Sequence, residues 1–213
     1  MQDIIIYGIG GMAKETVYLI EKINSVKENF KFVGFSVDDT YFSDNMQVLG
    51  YPVFKREWLI DHKNDVVCAC GIGYPKDRRA VMNSLEKDGV RFTTLIHPTA
   101  SIIDKSLVGN GSIIGAYCSA SVDVKIGKGV FLNGDLVAIG HDAVLEDYVT
   151  CFPKAQISGG CVIGEAALIG SLSYIHEKKK VGREAVVAPG SIVMRNVKDG
   201  VHVFGNPAKV VNI

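Results

Sequence analysis

The first ~95 residues alternate two kinds of apolar pattern. DIIIYG, residues 3–8, is a short apolar run that ends in glycine, and it predicts a strand. KETVYLIEKI follows with Val17, Ile20 and Ile23 on one face, which is helical spacing. FKFVGFSV predicts a second strand and DVVCACG a third. DRRAVMNSLEKDG predicts a helix that stops at Gly89, and RFTTLI predicts a fourth strand. Strands that alternate with helices imply a small parallel sheet with helices on its faces.

After His97 the helical period disappears and a period of six takes over. Steps of six from Ile102 reach Val108, Ile114, Ala120, Ile126 and Leu132. After one extra residue, steps of six from Ile139 run through Leu145, Cys151, Ile157, Ile163, Ile169, Ile175, Val181 and Val187 to Val193. Every one of these positions is apolar. The fourth residue after each is small or β-branched, from Ser106 and Ser112 to Ser191 and Val197, with Leu136 and Lys179 as the two breaks. Glycine often follows the first column, as at Gly109, Gly127, Gly140 and Gly164. Two aligned columns at a period of six predict a parallel β-helix, whose short strands form the walls of a coil and whose columns stack inside it. Cys118, Cys151 and Cys161 fall in those inward columns and read as small core residues. The domains predicted are 1–95, 96–198 and a tail, 199–213.

Bulk properties narrow the partners. The 23 basic and 23 acidic side chains balance, and KKK at 178–180 is the longest basic run, so nucleic acid is not an expected partner. Met1 leads straight into DIIIYG without a basic leader, and no apolar stretch reaches the roughly 18 residues that span a bilayer. Five cysteines without an export signal fit reduced thiols, so a cytoplasmic location is expected. CAC at 68–70 lacks metal-ligand spacing and reads as buried strand.

Two places carry candidate chemistry. His141 lies two residues after the inward Ile139, which puts it outside the coil's core. The extra residue between Leu132 and Ile139 predicts a bulge just before it. Asp142 follows at once, and a carboxylate beside an imidazole can orient the ring for general-base work. The second place is GIGGMA, Gly8 to Ala13, a G-x-G-x-x-A turn between strand and helix. It reads either as a tight βα turn or as a phosphate cradle of backbone N–H groups. Asp38 and Asp39, after the second strand, are placed to accept hydrogen bonds from a ribose or a uracil.

GNGSIIGAYCSASVDVKIGKG and GGCVIGEAALIG resemble the hexads of the hexapeptide-repeat acyltransferases. That resemblance implies a left-handed parallel β-helix, a homotrimer with active sites between subunits, and acetyl-CoA as co-substrate. The tail FGNPAKVV, 204–211, resembles the segment that closes this family near the CoA. IIIYGIGGMAKE, VDD at 37–39, CGIG at 70–73 and LIHPTASI at 95–102 narrow the likeness to the branch that N-acetylates nucleotide-linked amino sugars, which includes sialic acid O-acetyltransferase relatives. The N-terminal domain is then a Rossmann-like βαβ unit that holds the nucleotide, UDP in the first instance, on Gly10, Gly11, Met12, Ala13, Asp38, Asp39 and Gly71. His141 becomes the general base, Asp142 its support, and the Gly159 N–H an oxyanion donor. Thr150, where many relatives carry a second histidine, joins Gly159, Gly170, Ser171 and Ala188 as the cofactor contacts. Relatives often have a compact turn where HEKKK, 176–180, stands here, and Lys179 in an inward column predicts a distorted coil.

The expected reaction is direct acetyl transfer from acetyl-CoA to the amine of a nucleotide sugar, with no metal and no acetyl-enzyme. The competing readings are O-acetylation of a sugar hydroxyl and a non-catalytic sugar-nucleotide binder. A β-helix metalloenzyme is disfavoured, because the hexads hold only His141 and His176.

Overall fold

The computed structural model describes residues 1–211, with the side chain of Ser106, one of the small-column positions, outside that description. It falls into two compact units, Met1–Pro98 and Thr99–Ile213.

The first unit contains β1 (Gln2–Tyr7), α1 (Gly11–Val26), β2 (Phe30–Val37), β3 (Gln47–Val48), β4 (Tyr51–Lys55), α2 (Arg56–Asp61), β5 (Val66–Cys70) and α3 (Pro75–Lys87). The sheet order is β3-β4-β2-β1-β5. β1 pairs in parallel with β2 on one side and β5 on the other, β4 is parallel to β2, and β3 closes the edge antiparallel to β4. The first three predicted strands and both predicted helices are present. RFTTLI is not one strand: Phe92 makes an isolated bridge to Cys68, and Leu95–Ile96 is a strand of two residues. β4 and α2 escaped the pattern because Pro52 and the charges of KREW interrupt it. The core is the apolar face of α1, with Ala13, Val17 and Ile20, against Ile4, Ile5, Ile6, Phe35 and the all-buried VVCAC of β5.

Because β1 sits between β2 and β5, the chain leaves it in one direction and later returns on its other side. The crevice beyond the carboxyl ends of β1 and β5 is therefore a topological switch point, the preferred ligand position in such sheets. Gly8 turns there with φ +107°, and Gly71 donates its N–H to Tyr7 O at 2.8 Å. A Cβ on Gly71 would lie 2.6 Å from Ala13 Cβ and 2.9 Å from Ile6 Cγ2, so only glycine lets α1 approach the sheet this closely. Gly71→Ala should therefore destabilise the protein by about 1–3 kcal/mol, the usual range for overpacking. Thermal unfolding checks this, and an unchanged Tm would refute it.

In the second unit the hexads form three walls. Ile114, Leu132, Cys151, Ile169 and Val187 stack on one wall. Ala120, Ile139, Ile157, Ile175 and Val193 stack on the next, and Ile126, Leu145, Ile163 and Val181 on the third. All pairings are parallel, and a turn of the coil takes three hexads. Fifteen of the sixteen first-column positions are buried; Val108, in the first turn, is half-buried. The described small-column residues are buried alongside them, apart from the two breaks.

Two expectations fail here. The extra residue makes no bulge beside His141. It is absorbed one corner earlier, where Gly134, Asp135 and Leu136 take φ values of 30°, 47° and 67°. Leu136 turns outward, and the fully buried Val137 fills its slot. Nor does Lys179 distort the coil, for Lys180–Val181 pairs in register with Val162–Ile163, and Val162 N donates to Lys179 O at 3.0 Å. The pairing to Val162–Ile163 uses backbone groups alone, and a half-buried lysine can lay its methylene stem in a column while its ammonium reaches the rim. The tail adds His202–Gly205 in parallel to the first wall, then folds back antiparallel as Ala208–Val210.

Candidate active site

His141 sits at the corner that follows the wall Ala138–Ile139. Asp142 occupies the left-handed conformation of that corner, φ 59°, which aspartate tolerates better than most residues. The turn brings its Oδ2 to 2.7 Å from His141 Nδ1. Both side chains are 64% exposed, so the imidazole faces solvent rather than the core. With Nδ1 donating to the carboxylate, Nε2 carries the free lone pair.

One turn of the coil later, Ile157 stacks on Ile139, which places Gly159 over His141. A Cβ on Gly159 would lie 2.6 Å from His141 Nε2 and 2.7 Å from Cε1, so the ring lies flat against this glycine. Backbone bonds lock the two turns together: Gly160 N donates to His141 O at 2.8 Å, and Lys178 N to Gly159 O at 2.9 Å. The Gly159 N–H itself makes no hydrogen bond among the described residues. On another corner, the N–H groups in the same place are capped by carboxylates: Lys128 by Asp147, Glu165 by Glu146 and Arg183 by Asp199, at 2.8–2.9 Å. The structure thus brings the His141 imidazole, the Asp142 carboxylate and an uncapped backbone donor to one point.

The other positions expected to contact the cofactor lie elsewhere on the coil. Gly170, Ser171 and Ala188 share the corner that follows the wall carrying Leu168–Ile169, with Gly170 N donating to Val187 O at 2.8 Å. One wall therefore separates them from His141 within a chain. Thr150 is fully buried in the wall Thr150–Cys151, so its hydroxyl is not presented to a cofactor. At the far end of the His141 corner, Met194, Arg195, Pro207, Ala208 and Lys209 line a small pocket beside the tail. Arg195 stands three turns of the coil from His141, about 14 Å at strand spacing.

In the first unit, Gly10 and Gly11 have open space where a side chain would be, at the uncapped start of α1. Met12 follows them in the first turn. Ala13 is a packing residue, buried against Gly71. Asp38 is partly committed: its Oδ1 accepts the Tyr7 hydroxyl at 2.6 Å and faces Arg56 Nη1 at 3.5 Å. Burial, and then the hydrogen bond and charge of Asp38, hold the Tyr7 phenol well above its ordinary pKa. Asp39 is exposed at the start of a short 3-10 turn. Tyr7 and Arg56 were not apparent as partners from sequence, because neither lies in a motif. Among the described residues, no group of histidines, cysteines or carboxylates could hold a metal. All five cysteines are buried, and burial pushes the Cys70 and Cys118 thiols up to about 11, which suits packing rather than nucleophilic work.

Residues 3–85 match the family model of the PglD N-terminal domain. GDP-perosamine N-acetyltransferase of Escherichia coli O157:H7 is 28% identical over 215 residues, covering 96% of this chain and 94% of the relative. The chain is homologous to this enzyme and to the PglB and WeeI acetyltransferases. WeeI from Acinetobacter baumannii AYE superposes on this chain with a TM-score of 0.86 at 29% identity, covering 99% and 100% of the two chains. The acetyltransferase domain of PglB from Neisseria gonorrhoeae FA1090, solved with acetyl coenzyme A, gives 0.85 at 25% identity and covers 99% of each. The fold is thus an α/β unit with a Rossmann-like sheet followed by a left-handed parallel β-helix of hexapeptide repeats. No helix among the described residues is long and apolar enough to cross a membrane.

Proposed function

We propose that this acetyl-CoA-dependent acetyltransferase N-acetylates a nucleotide-linked amino sugar by direct transfer in a ternary complex. The observation that carries the reading is the His141–Asp142 pair lying against Gly159. The sugar amine attacks the thioester carbonyl while His141 Nε2 takes its proton. The Gly159 N–H donates to the oxygen on which negative charge develops. The C–S bond then breaks, and CoA leaves as the thiolate, which takes up a proton. Asp142 keeps the imidazole in the accepting tautomer and stabilises its protonated form.

Full-length homology to an enzyme named for GDP-perosamine supports a nucleotide amino sugar as acceptor. The nucleotide is held at the switch point, and the base, expected as uracil, is open to a purine. In a homotrimer, the corner with Gly170, Ser171 and Ala188 of one copy would face the His141 corner of the next, which would unite the two halves that one chain keeps apart. The five cysteines, all buried, suit a reducing cytoplasm.

Asp142→Asn keeps the left-handed corner and removes the charge. It should lower kcat by about 10-fold, less than loss of the base itself. Steady-state kinetics check this, and an unchanged kcat would leave Asp142 a turn residue only. The pocket beside the tail offers two cations, Arg195 and Lys209, for the phosphates of CoA. Arg195→Glu with Lys209→Glu should raise KM for acetyl-CoA by about 10-fold, more steeply at low salt, with kcat preserved. No salt-dependent change in KM would place the phosphates elsewhere.

The reading is tested by mass spectrometry of turnover mixtures of protein, acetyl-CoA and a panel of UDP-, GDP- and dTDP-linked amino sugars plus free sialic acid. One acetyl added to an amino sugar supports it. Acetylation of hydroxyl acceptors alone, or of no acceptor, overturns it.

A further inference from the structure

Arg78, on the second turn of α3, is 1% exposed. Its Nη1 donates to Ile72 O at 3.0 Å and to Gly73 O at 2.8 Å. These carbonyls belong to the loop 71–74, which joins β5 to α3 and forms one lip of the switch-point crevice. The loop is anchored at its start, since Gly71 is wedged against Ala13 and bonded to Tyr7 O. Beyond that anchor the packing opens: a Cβ on Gly73 would meet nothing nearer than Met12 Sδ at 3.9 Å. A buried guanidinium is costly unless its donors are used, so its presence beneath a loop so short calls for a reason.

The reason follows from peptide geometry. In a trans peptide the C=O and the next N–H point in opposite directions. Two successive carbonyls drawn to one guanidinium turn the Gly73 and Tyr74 N–H groups together to the opposite side, away from Arg78. Successive N–H groups on one side form an anion-accepting concavity. Across the crevice, Gly10 and Gly11 are equally open.

We propose that Arg78 is a positioning residue for the nucleotide. By holding the Ile72 and Gly73 carbonyls it aims the Tyr74 N–H at the diphosphate of the nucleotide sugar. This rests on the nucleotide-sugar reading above and adds a residue that touches no substrate. Arg78→Met removes the hold. Arg78→Lys keeps a buried cation that can reach one carbonyl. A separate pair of variants isolates the donor. Tyr74 has φ −73°, which proline adopts without strain, and its side chain is half exposed. Tyr74→Pro therefore deletes the N–H, and Tyr74→Ala deletes only the side chain.

The experiment is calorimetric titration of UDP and of GDP into the full-length protein, with steady-state kinetics and thermal unfolding of each variant. Arg78→Met should weaken the nucleotide that wild type binds by about 10-fold, the size of one hydrogen bond to a charged group. KM for the nucleotide sugar should rise equally, with kcat and KM for acetyl-CoA within about twofold. Arg78→Lys should recover part of the loss, and Tyr74→Pro should bind several-fold more weakly than Tyr74→Ala. Equal binding by Tyr74→Pro and Tyr74→Ala overturns the proposal, as does an Arg78→Met variant that loses Tm but not affinity. If Arg78→Met fails to fold, the Tyr74 pair decides. If wild type binds neither nucleotide, the nucleotide-sugar reading falls and this proposal with it. Binding by wild type and all variants alike removes the positioning role alone.

Discussion

Replacing His141 with alanine should lower kcat by about 10²–10⁴-fold and leave the affinity for acetyl-CoA nearly unchanged. The range is that of a general base removed from its transition state. It applies because Nε2 has no hydrogen-bond partner among the described residues: Nδ1 is occupied by Asp142, and the ring packs against a glycine rather than into a core. The side chain is mostly exposed, and its corner is held by backbone bonds through Asp142 N and His141 O, so the fold should be unaffected. Single-turnover rates and direct titration of acetyl-CoA separate the two quantities. Near-normal turnover by a folded variant would end the base assignment, and lost acetyl-CoA binding would make His141 a cofactor contact.

Gly159→Ala should come close to the same loss by a different route. The new methyl would lie 2.6 Å from Nε2, closer than real contacts allow, so the ring must swing away from its place over Gly159. That movement costs little stability, because the obstacle is the free end of an exposed side chain. The contrast with Gly71 is instructive, since there the obstacle is the body of α1 and stability is what suffers. A loss in kcat on the order of 100-fold with Tm held is expected. The double variant His141→Ala/Gly159→Ala should be no worse than His141→Ala alone, because displacing the ring and deleting it are one defect. Additive losses would show that the methyl blocks the substrate or the N–H donor rather than the imidazole.

Much of the second unit was legible because its signal is one-dimensional. Each coil contacts its neighbours at fixed offsets, so an apolar column at a period of six translates directly into a wall. The placement of His141 outside the core followed from counting two residues past Ile139. What the count could not carry was the third dimension. The extra residue was visible, but its absorption at Gly134–Leu136 depended on Val137 being free to slide into the vacant slot. Lys179 was visible too, but its harmlessness depended on a pairing to Val162–Ile163 built of backbone alone. Thr150 drew notice by its distance from His141 along the chain, whereas its burial depends on what packs over that wall. In the first unit, β1, β2 and β5 were legible as unbroken apolar runs. β4 and α2 were not, because Pro52 and flanking charges hide a half-buried edge. Arg78 gave no signal at all, since arginine in a helix rich in charged residues reads as surface, and its bonds to the carbonyls of the loop just before that helix are a matter of tertiary geometry.

The corners of the coil repeat a left-handed backbone state that most side chains resist, and nine non-glycine residues from Tyr117 to Glu184 accept it in the regular corners. Asp142 is one of the residue types that resist it least, and it is also the group that grips His141. The same atom geometry thus satisfies the turn and aims the imidazole. A drifting sequence could trade most corner residues for one another at small cost. At this corner the tolerated alternatives, asparagine and glycine, preserve the bend but forfeit the grip, and glutamate would keep the charge while opposing the bend. With His141 as the proposed base, the demands of backbone and catalyst would coincide at this one spot on the solenoid, which would narrow the paths by which a coil of this kind can gain or lose its activity.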